Sequence, residues 1–389
     1  MFSITKNDIQ NVLKDYGIDG ACTSFCELQR YHYEKDDPAS KQVRLIIRAD
    51  LANGASLVIR FKNEDDAPYE IIEAQSRFAN LLFMEGIETP KAYTTDGCYA
   101  RRYLINGYDV IVTVESFVTG ELKIVDVETA EATGRLLAEM HSIAEKADFH
   151  VKSDVLFDPL NRNDLFSFED FDAHKDKLIA IDSTLYNCIV QEHARLVQHL
   201  APFEEEPRYA VQGDISDCNL YRTQDGRLGA FDFNRCGDNN LYFDAVMQAI
   251  FEARLMDYPE ELAGKQETVI LSAFLKGYQQ IRPFTTQQSE AFPWFYALVS
   301  AFWLSDIRGV EFEKIFHAMI FALCFLSLLG CSSAKDDALY ALPADVSGIE
   351  DFKCVCSTDG ETEFVIYNDY AKELYGYITS LWQNALAVP

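Results

Sequence analysis

The periodicity of this chain changes once, near residue 118, and that change restricts the fold more than any other feature. Before it, apolar and polar residues alternate over short runs, the two-residue repeat of strands. Runs 43–49 and 56–62 flank Asn53-Gly54, a turn dipeptide that signals a hairpin. Residues 26–33, 99–105 and 109–117 read as further strands, and 6–16 as a short helix. Residues 69–86 read as a longer helix, with Ile72, Phe78, Leu81 and Leu82 at helical spacing and Gly86 as its stop. After Val118-Thr-Gly120 the spacing becomes helical over 128–146, 173–200, 243–256, 266–282, 291–308 and 312–329. One hairpin, at 219–233, interrupts this second region. The pattern predicts a bilobal α+β fold: a β-rich N-terminal lobe over 1–118, a mostly helical C-terminal lobe over 119–389, and a cleft between them.

Composition narrows the class of function. The 389 residues are 48% hydrophobic and include 27 Phe and 20 Tyr, which suits sizeable packed cores. Asp and Glu number 62 against 34 Lys and Arg, a net charge of -28 that would repel a phosphate backbone, so no nucleic-acid partner is expected. The first residues lack the basic head and apolar core of a secretory signal. The most apolar stretch, 315–330, is shorter than the roughly 20 residues a bilayer requires, so a buried helix is expected and no membrane span. Ten cysteines occur without paired spacing, and Cys354 and Cys356 lack the partners of a zinc site. Reduced thiols and a cytoplasmic location follow as expectations.

The chemistry concentrates in Gln212-Gly-Asp-Ile-Ser-Asp-Cys-Asn219 and Asp232-Phe-Asn234. Asp225-Gly226 reads as a two-residue hairpin turn, and pairing back from it sets Asn219 opposite Asp232. Directly opposed residues hold their Cβ atoms about 4.5–5.5 Å apart. An amide oxygen and a carboxylate at that separation can share Mg²⁺, which takes few protein ligands. Asp214, just ahead of the hairpin, can orient and deprotonate an attacking hydroxyl. Taken singly, Asp214 and Asp232 are equally well read as turn caps.

In strand 56–62, Leu57, Ile59 and Phe61 face one way and Val58, Arg60 and Lys62 the other. A nucleotide cleft needs that alternation, a small apolar residue against the base and a cation for the phosphates; an ordinary half-exposed strand would show it too. Glu73, on the following helix, is the expected partner of that cation. Asp158, Asp164, Glu169, Asp170 and Asp172, with Asp244, Glu252 and Asp257, are candidates to line an acceptor pocket and favour an ammonium-bearing molecule.

Together these segments resemble the aminoglycoside phosphotransferase and choline kinase-like family, over roughly residues 40–310. Val58-Ile-Arg-Phe-Lys62 looks like the phosphate-contacting strand, and Glu115-Ser-Phe-Val-Thr-Gly120 like the hinge whose backbone holds adenine. Gly134-Arg-Leu-Leu-Ala-Glu-Met-His-Ser142 is similar to the family's Leu-x-x-x-His-Ser helix, and Phe274-Leu-Lys-Gly-Tyr278 to a common helical signature. The resemblance implies a protein-kinase-like fold and a small-molecule kinase moving the γ-phosphate of ATP or GTP to a hydroxyl. It makes Asp214 the catalytic base, Asn219 and Asp232 the Mg²⁺ ligands, and Arg60, Lys62, Glu73, Glu115, Ser116, Phe117 and Val118 the nucleotide contacts. The acceptor would be a small, amine-bearing metabolite or antibiotic; homoserine, choline or a methylthio-sugar are alternatives, as is a pseudokinase without turnover. Gln212 stands where the family carries His, and Arg60 where it carries Lys.

Overall fold

A computed structural model describes residues 1–35, 37, 39–153, 158–161, 167–215 and 219–302. The expected helix at 312–329 and Ser216, Asp217, Cys218, Asp164, Cys354 and Cys356 lie outside the described residues. The chain forms two compact units: Met1–Asp158 with Phe203–Gln288, and Pro159–Pro202 with the residues from Ser289 on.

The first unit opens with α1 (Lys6–Asp15), started by a reciprocal cap in which Thr5 Oγ1 accepts from the Asp8 amide and the Asp8 carboxylate accepts from the Thr5 amide at 2.8 Å. Five strands follow, β1 (Cys22–Tyr31), β2 (Val43–Leu51), β3 (Ser56–Asn63), β4 (Ala100–Ile105) and β5 (Tyr108–Ser116), with α2 (Tyr69–Met84) between β3 and β4. They make one antiparallel sheet in the order β1-β2-β3-β5-β4. Alternation decides its two faces. Leu57, Ile59 and Phe61 of β3 join Leu45, Ile47, Val110, Val112 and Val114 in a core closed by Ile9, Val12 and Leu13 of α1. Val58, Arg60 and Lys62 occupy the opposite face, as the two-residue repeat requires.

The hairpins show how turn chemistry sets register. Asn106 and Gly107 both have positive φ, 50° and 79°, and make the two-residue turn that pairs Ile105 with Tyr108. At Asn53-Gly54 only the glycine is left-handed, at 86°, and Leu51 N–H bonds Ala55 O at 2.8 Å, so the loop holds one residue more.

Beyond β5 the unit becomes helical: α3 (Val127–Lys146), then β6 (Arg208–Val211), β7 (Leu220–Arg222), β8 (Leu228–Ala230) and β9 (Gly237–Asn240), then α6 (Leu241–Leu255) and α7 (Gln266–Gln279). β6 pairs with β9 and β7 with β8. The second unit contains α4 (Phe168–Asp172), α5 (Lys175–Leu200) and α8 (Thr286–Ala301) from Ser289 on. Its described part is held by ring contacts, among them Phe168 against Phe302 at 5.3 Å and His199 stacked on Trp294 at 4.0 Å. Among the described residues, no helix is long and apolar enough to cross a membrane.

Helices α3 and α7 meet at two glycines. A Cβ on Gly134 would overlap the Phe274 carbonyl, and one on Gly277 the Glu131 carbonyl. Both glycines came from segments that the sequence singled out, and their role is close backbone approach. Gly134→Ala and Gly277→Ala should each lower stability by about 1–3 kcal/mol, the cost of overpacking, read as a fall in Tm.

Helix α6 is buried over most of its length and carries Asp244, Gln248 and Glu252, spaced by four, on one face. The Glu252 carboxyl has no hydrogen-bond donor among the described residues. Thr133 lies beside it but gives its hydroxyl hydrogen to Thr129 O at 2.9 Å. A protonated Glu252 can donate to Thr133 Oγ1, whereas an ionised one is unsatisfied; burial accordingly pushes its pKa well above the usual range. The unfolded chain ionises Glu252 at the ordinary carboxylate value, so stability is full below that pH and falls above it by about 1.4 kcal/mol per unit, until the folded-state pKa is reached. Glu252→Gln should therefore raise Tm at pH 7 and leave it unchanged near pH 4; an equal change at both would contradict the assignment.

Candidate active site

The site grows out of the turn after β6. Gln212 is fully buried, and Gly213 follows at φ 81°, where a Cβ would strike the Arg235 carbonyl. Only glycine fits this left-handed, crowded position. The turn directs Asp214 back over Gln212, whose Oε1 accepts from the Asp214 amide at 2.7 Å. The same carboxamide donates through Nε2 to Phe231 O at 3.1 Å and Asp232 O at 2.8 Å. One buried side chain thus ties the proposed base segment to the proposed metal segment. A neutral histidine has one N–H and cannot donate to two carbonyls while accepting from an amide through an in-plane oxygen; the glutamine does both.

Asn219 Nδ2 donates to Asp214 O at 2.7 Å, which leaves Oδ1 as the atom of that side chain turned away from this bond. Asp232 adopts φ 56°, left-handed for a residue with a Cβ, and its Oδ1 accepts from Asn234 N–H at 3.2 Å. Asp214, Asn219 and Asp232 are each partly exposed. The register differs by one residue from the expected one: Leu220 pairs with Ala230, and Phe231 N–H bonds Asn219 O at 2.9 Å, so Asn219 faces Phe231. The reason is the turn. Gly226 alone is left-handed there, at 88°, and Thr223 N–H bonds Arg227 O, so Asp225-Gly226 belongs to the longer loop with a bulge. Asn219 and Asp232 are brought to one locality by Gln212 and the Asp214 carbonyl, and not by direct opposition.

On the cleft-type face of β3, Arg60 makes an ion pair with Glu115. Burial opposes its charge, but Glu115 and Asp232 outweigh that and raise its pKa. Lys62 bonds Asn234 Oδ1, and burial pulls its pKa down to about 8 despite Asp232 nearby, with Arg60 adding to the fall. The expected partnership of Arg60 with Glu73 is not formed. Glu73 Oε2 accepts from the Tyr99 and Ala100 amides at 2.8 and 2.7 Å, and Oε1 pairs with Arg77 at 2.7 Å. Two unpaired N–H groups at the start of β4 capture this carboxylate, while Arg60 finds Glu115 as its diagonal neighbour across β3 and β5.

In the segment expected to form the hinge, Ser116 N–H bonds Lys91 O and Phe117 N–H bonds Ser56 O, each at 2.9 Å; Val118 N–H makes no backbone hydrogen bond among the described residues. Phe117 lies under the Arg48 guanidinium at 4.5 Å. The acidic residues expected around an acceptor mostly have other partners. Asp158 pairs with Arg208 at 2.8 Å, Asp172 accepts from Tyr186, Asp244 bonds His141, and Glu252 is buried within the helices. His141, buried between Asp244 at 3.0 Å and the Tyr278 hydroxyl at 2.9 Å, is structural; burial holds its pKa below the usual value. Asp238 accepts from the Val151 amide at 2.7 Å and fixes its loop.

The sequence matches the phosphotransferase enzyme family over residues 41–284. The chain belongs to that family. Among solved structures, an amicoumacin kinase in complex with AMP-PNP, Ca²⁺ and Ami is 16% identical at TM-score 0.54, covering 87% of this chain and 90% of its own. A microcompartment-associated aminopropanol kinase is 14% identical at TM-score 0.51, covering 83% and 96%. No curated protein matches the chain. At such identities the likeness is one of fold, and it gives this phosphotransferase the kinase-like α+β architecture expected from the resemblance, a β-rich N-terminal region followed by a helical one.

The residue that sequence reasoning did not single out is Gln75, which holds the segment after Asp232 through the Asn234 and Cys236 carbonyls. A signal for Gln75 was present: a carboxamide on the apolar face of α2 marked by Ile72, Phe78 and Leu82. Gln212→Leu should leave one amide and two carbonyls without this partner and lower stability by about 1–3 kcal/mol per group left unsatisfied, read as a fall in denaturant midpoint. An unchanged midpoint would remove Gln212 from this role.

Proposed function

We propose that this phosphotransferase transfers the γ-phosphate of ATP or GTP to a hydroxyl of a small molecule, with Asp214 as general base and Asn219 and Asp232 as ligands of Mg²⁺. The observation that carries the reading is the Gln212 bridge, which holds the Asp214 amide and the Asp232 carbonyl on one carboxamide. The donor set fits a hard divalent cation. Asn219 offers an oxygen because its nitrogen is committed to Asp214 O, Asp232 offers a carboxylate, and Mg²⁺ takes few protein ligands alongside substrate phosphates. When bound, the cation neutralises charge that develops on the phosphate oxygens.

The remaining work falls to the chain's own groups. Asp214 takes the acceptor hydroxyl's proton on its carboxylate. Arg60 and Lys62, on one strand face beside Asp232, balance the phosphate charge, and Arg60 keeps its charge at every physiological pH. The Ser116 carbonyl and Val118 N–H are suited to the edge of a purine, since the Ser116 and Phe117 amides already have partners. Glu73 serves the site by fixing β4. A small, amine-bearing acceptor is favoured by the net charge of -28 and by the aminopropanol kinase among the structural neighbours. The second reading, a nucleotide-binding protein without turnover, is favoured by Arg60 being tied to Glu115.

Purified protein with Mg²⁺ and γ-labelled ATP, offered amino alcohols, sugars and sugar phosphates, should label an amino alcohol before an anionic acceptor. Asp214→Asn should lower kcat by about 10²–10⁴-fold with nucleotide binding retained, and Asp232→Ala should abolish the Mg²⁺ dependence of that binding. Wild-type turnover in Asp214→Asn would exclude Asp214 as the base, and label transfer to no hydroxyl would favour the second reading.

A further inference from the structure

We propose that Gln75 is a positioning residue for the metal segment, so that cation affinity depends on α2, a helix that carries no ligand. The inference rests on the reading of Asn219 and Asp232 given above and extends it to the N-terminal part of the chain. Gln75 is 6% exposed on a face of α2 that is otherwise apolar, with Ile72 and Ala79 buried to a similar degree and Phe78 and Leu82 fully buried. Its Nε2 donates to Asn234 O and to Cys236 O, each at 3.1 Å. One turn on, Phe78 packs edge to face against Phe233 at 6.0 Å. Glu73, two residues back and about 200° around the helix, reaches the other way to the start of β4. Helix α2 therefore grips the sheet with one polar side chain and the segment behind Asp232 with another.

That segment needs holding. Asp232 is left-handed, and a non-glycine residue stays in that conformation only where its surroundings over-determine it. Two carboxamides do so here: Gln212 bonds the carbonyls of 231 and 232, and Gln75 those of 234 and 236. Between them, Asn234 donates its amide to Asp232 Oδ1 and accepts Lys62 on its own Oδ1. Loss of Gln75 frees the Asn234 peptide and with it the direction of the Asp232 carboxylate. If Gln75 only satisfied two buried carbonyls, its loss would lower Tm and leave cation affinity where it was.

The test uses the full chain and the fluorescent nucleotide mant-ATP, titrated with MgCl₂. Gln75→Leu should raise the Mg²⁺ concentration for half-maximal mant-ATP binding by about tenfold, the lower end of what loss of a group supporting a metal ligand costs, with binding in EDTA unchanged. Leu82→Val, a packing change on the same helix, should lower Tm and leave that concentration alone. Gln75→Glu adds an independent readout. Its carboxylate has no hydrogen to give the two carbonyls, but its acid form donates to one, so its half-saturation should approach the wild-type value as pH falls from 7.5 to 5.5. The inference is overturned if Gln75→Leu keeps the wild-type half-saturation, or if it fails to fold and the ratio of Gln75→Glu to wild type is independent of pH. Should Gln75→Leu fail to fold while that ratio falls with pH, the inference stands. Wild-type protein whose mant-ATP binding ignores Mg²⁺ would instead overturn the cation assignment, and the inference with it.

Discussion

The Gln212 carboxamide is the interaction on which the rest of the site depends. It is fully buried, so its three hydrogen bonds face little competition from water and act in a low dielectric. Through them the loop that carries Asp214 and the loop that carries Asp232 become one unit, although the two aspartates lie 18 positions apart in the chain. Gly213 makes the approach feasible, because any side chain there would meet the Arg235 backbone. Asn219 is drawn into the same unit through Asp214 O, which commits its side-chain nitrogen and leaves the oxygen over.

Charge on the sheet face follows from the same burial. Arg60 and Lys62 are largely withdrawn from water, and the carboxylates beside them act on their charge: Glu115 and Asp232 on Arg60, Asp232 on Lys62. Arg60 keeps its charge because two carboxylates outweigh desolvation. Lys62, bonded to the Asn234 amide oxygen, is pulled down to about 8 by burial despite Asp232 nearby. The strand thus presents one cation held charged by carboxylates and one whose charge burial weakens.

The helices behind the site explain why two sequence signatures of the family are there. Gly134 and Gly277 let α3 and α7 touch backbone to backbone, and His141, two turns after Gly134, meets Tyr278, the residue after Gly277, and Asp244. What looks in sequence like a histidine near an active site is a pin in the helix packing. The proposed chemistry uses none of these groups, but α6 starts directly after β9 and the segment behind Asp232, so their packing sets where that segment is anchored.

The sequence by itself determined the class of fold and the segments in which the candidate site is built. Periods of two and 3.6 residues, with turn dipeptides between them, assigned the sheet, the helices and the two faces of β3, because those features depend on residues close together in the chain. The motif from Gln212 to Asn234 was legible for the same reason. Tertiary structure decided the partners. The alternation of β3 put Arg60 on the cleft-type face, but its choice of Glu115 over Glu73 depended on the neighbouring strand and on two amides of β4 competing for Glu73. The register of Asn219 turned on whether Asp225 joins Gly226 in left-handed backbone, a difference of one residue that composition does not reveal. Gln75 lies more than 150 residues from the carbonyls it holds, and a hydrogen bond across that separation exists only once α2 has docked.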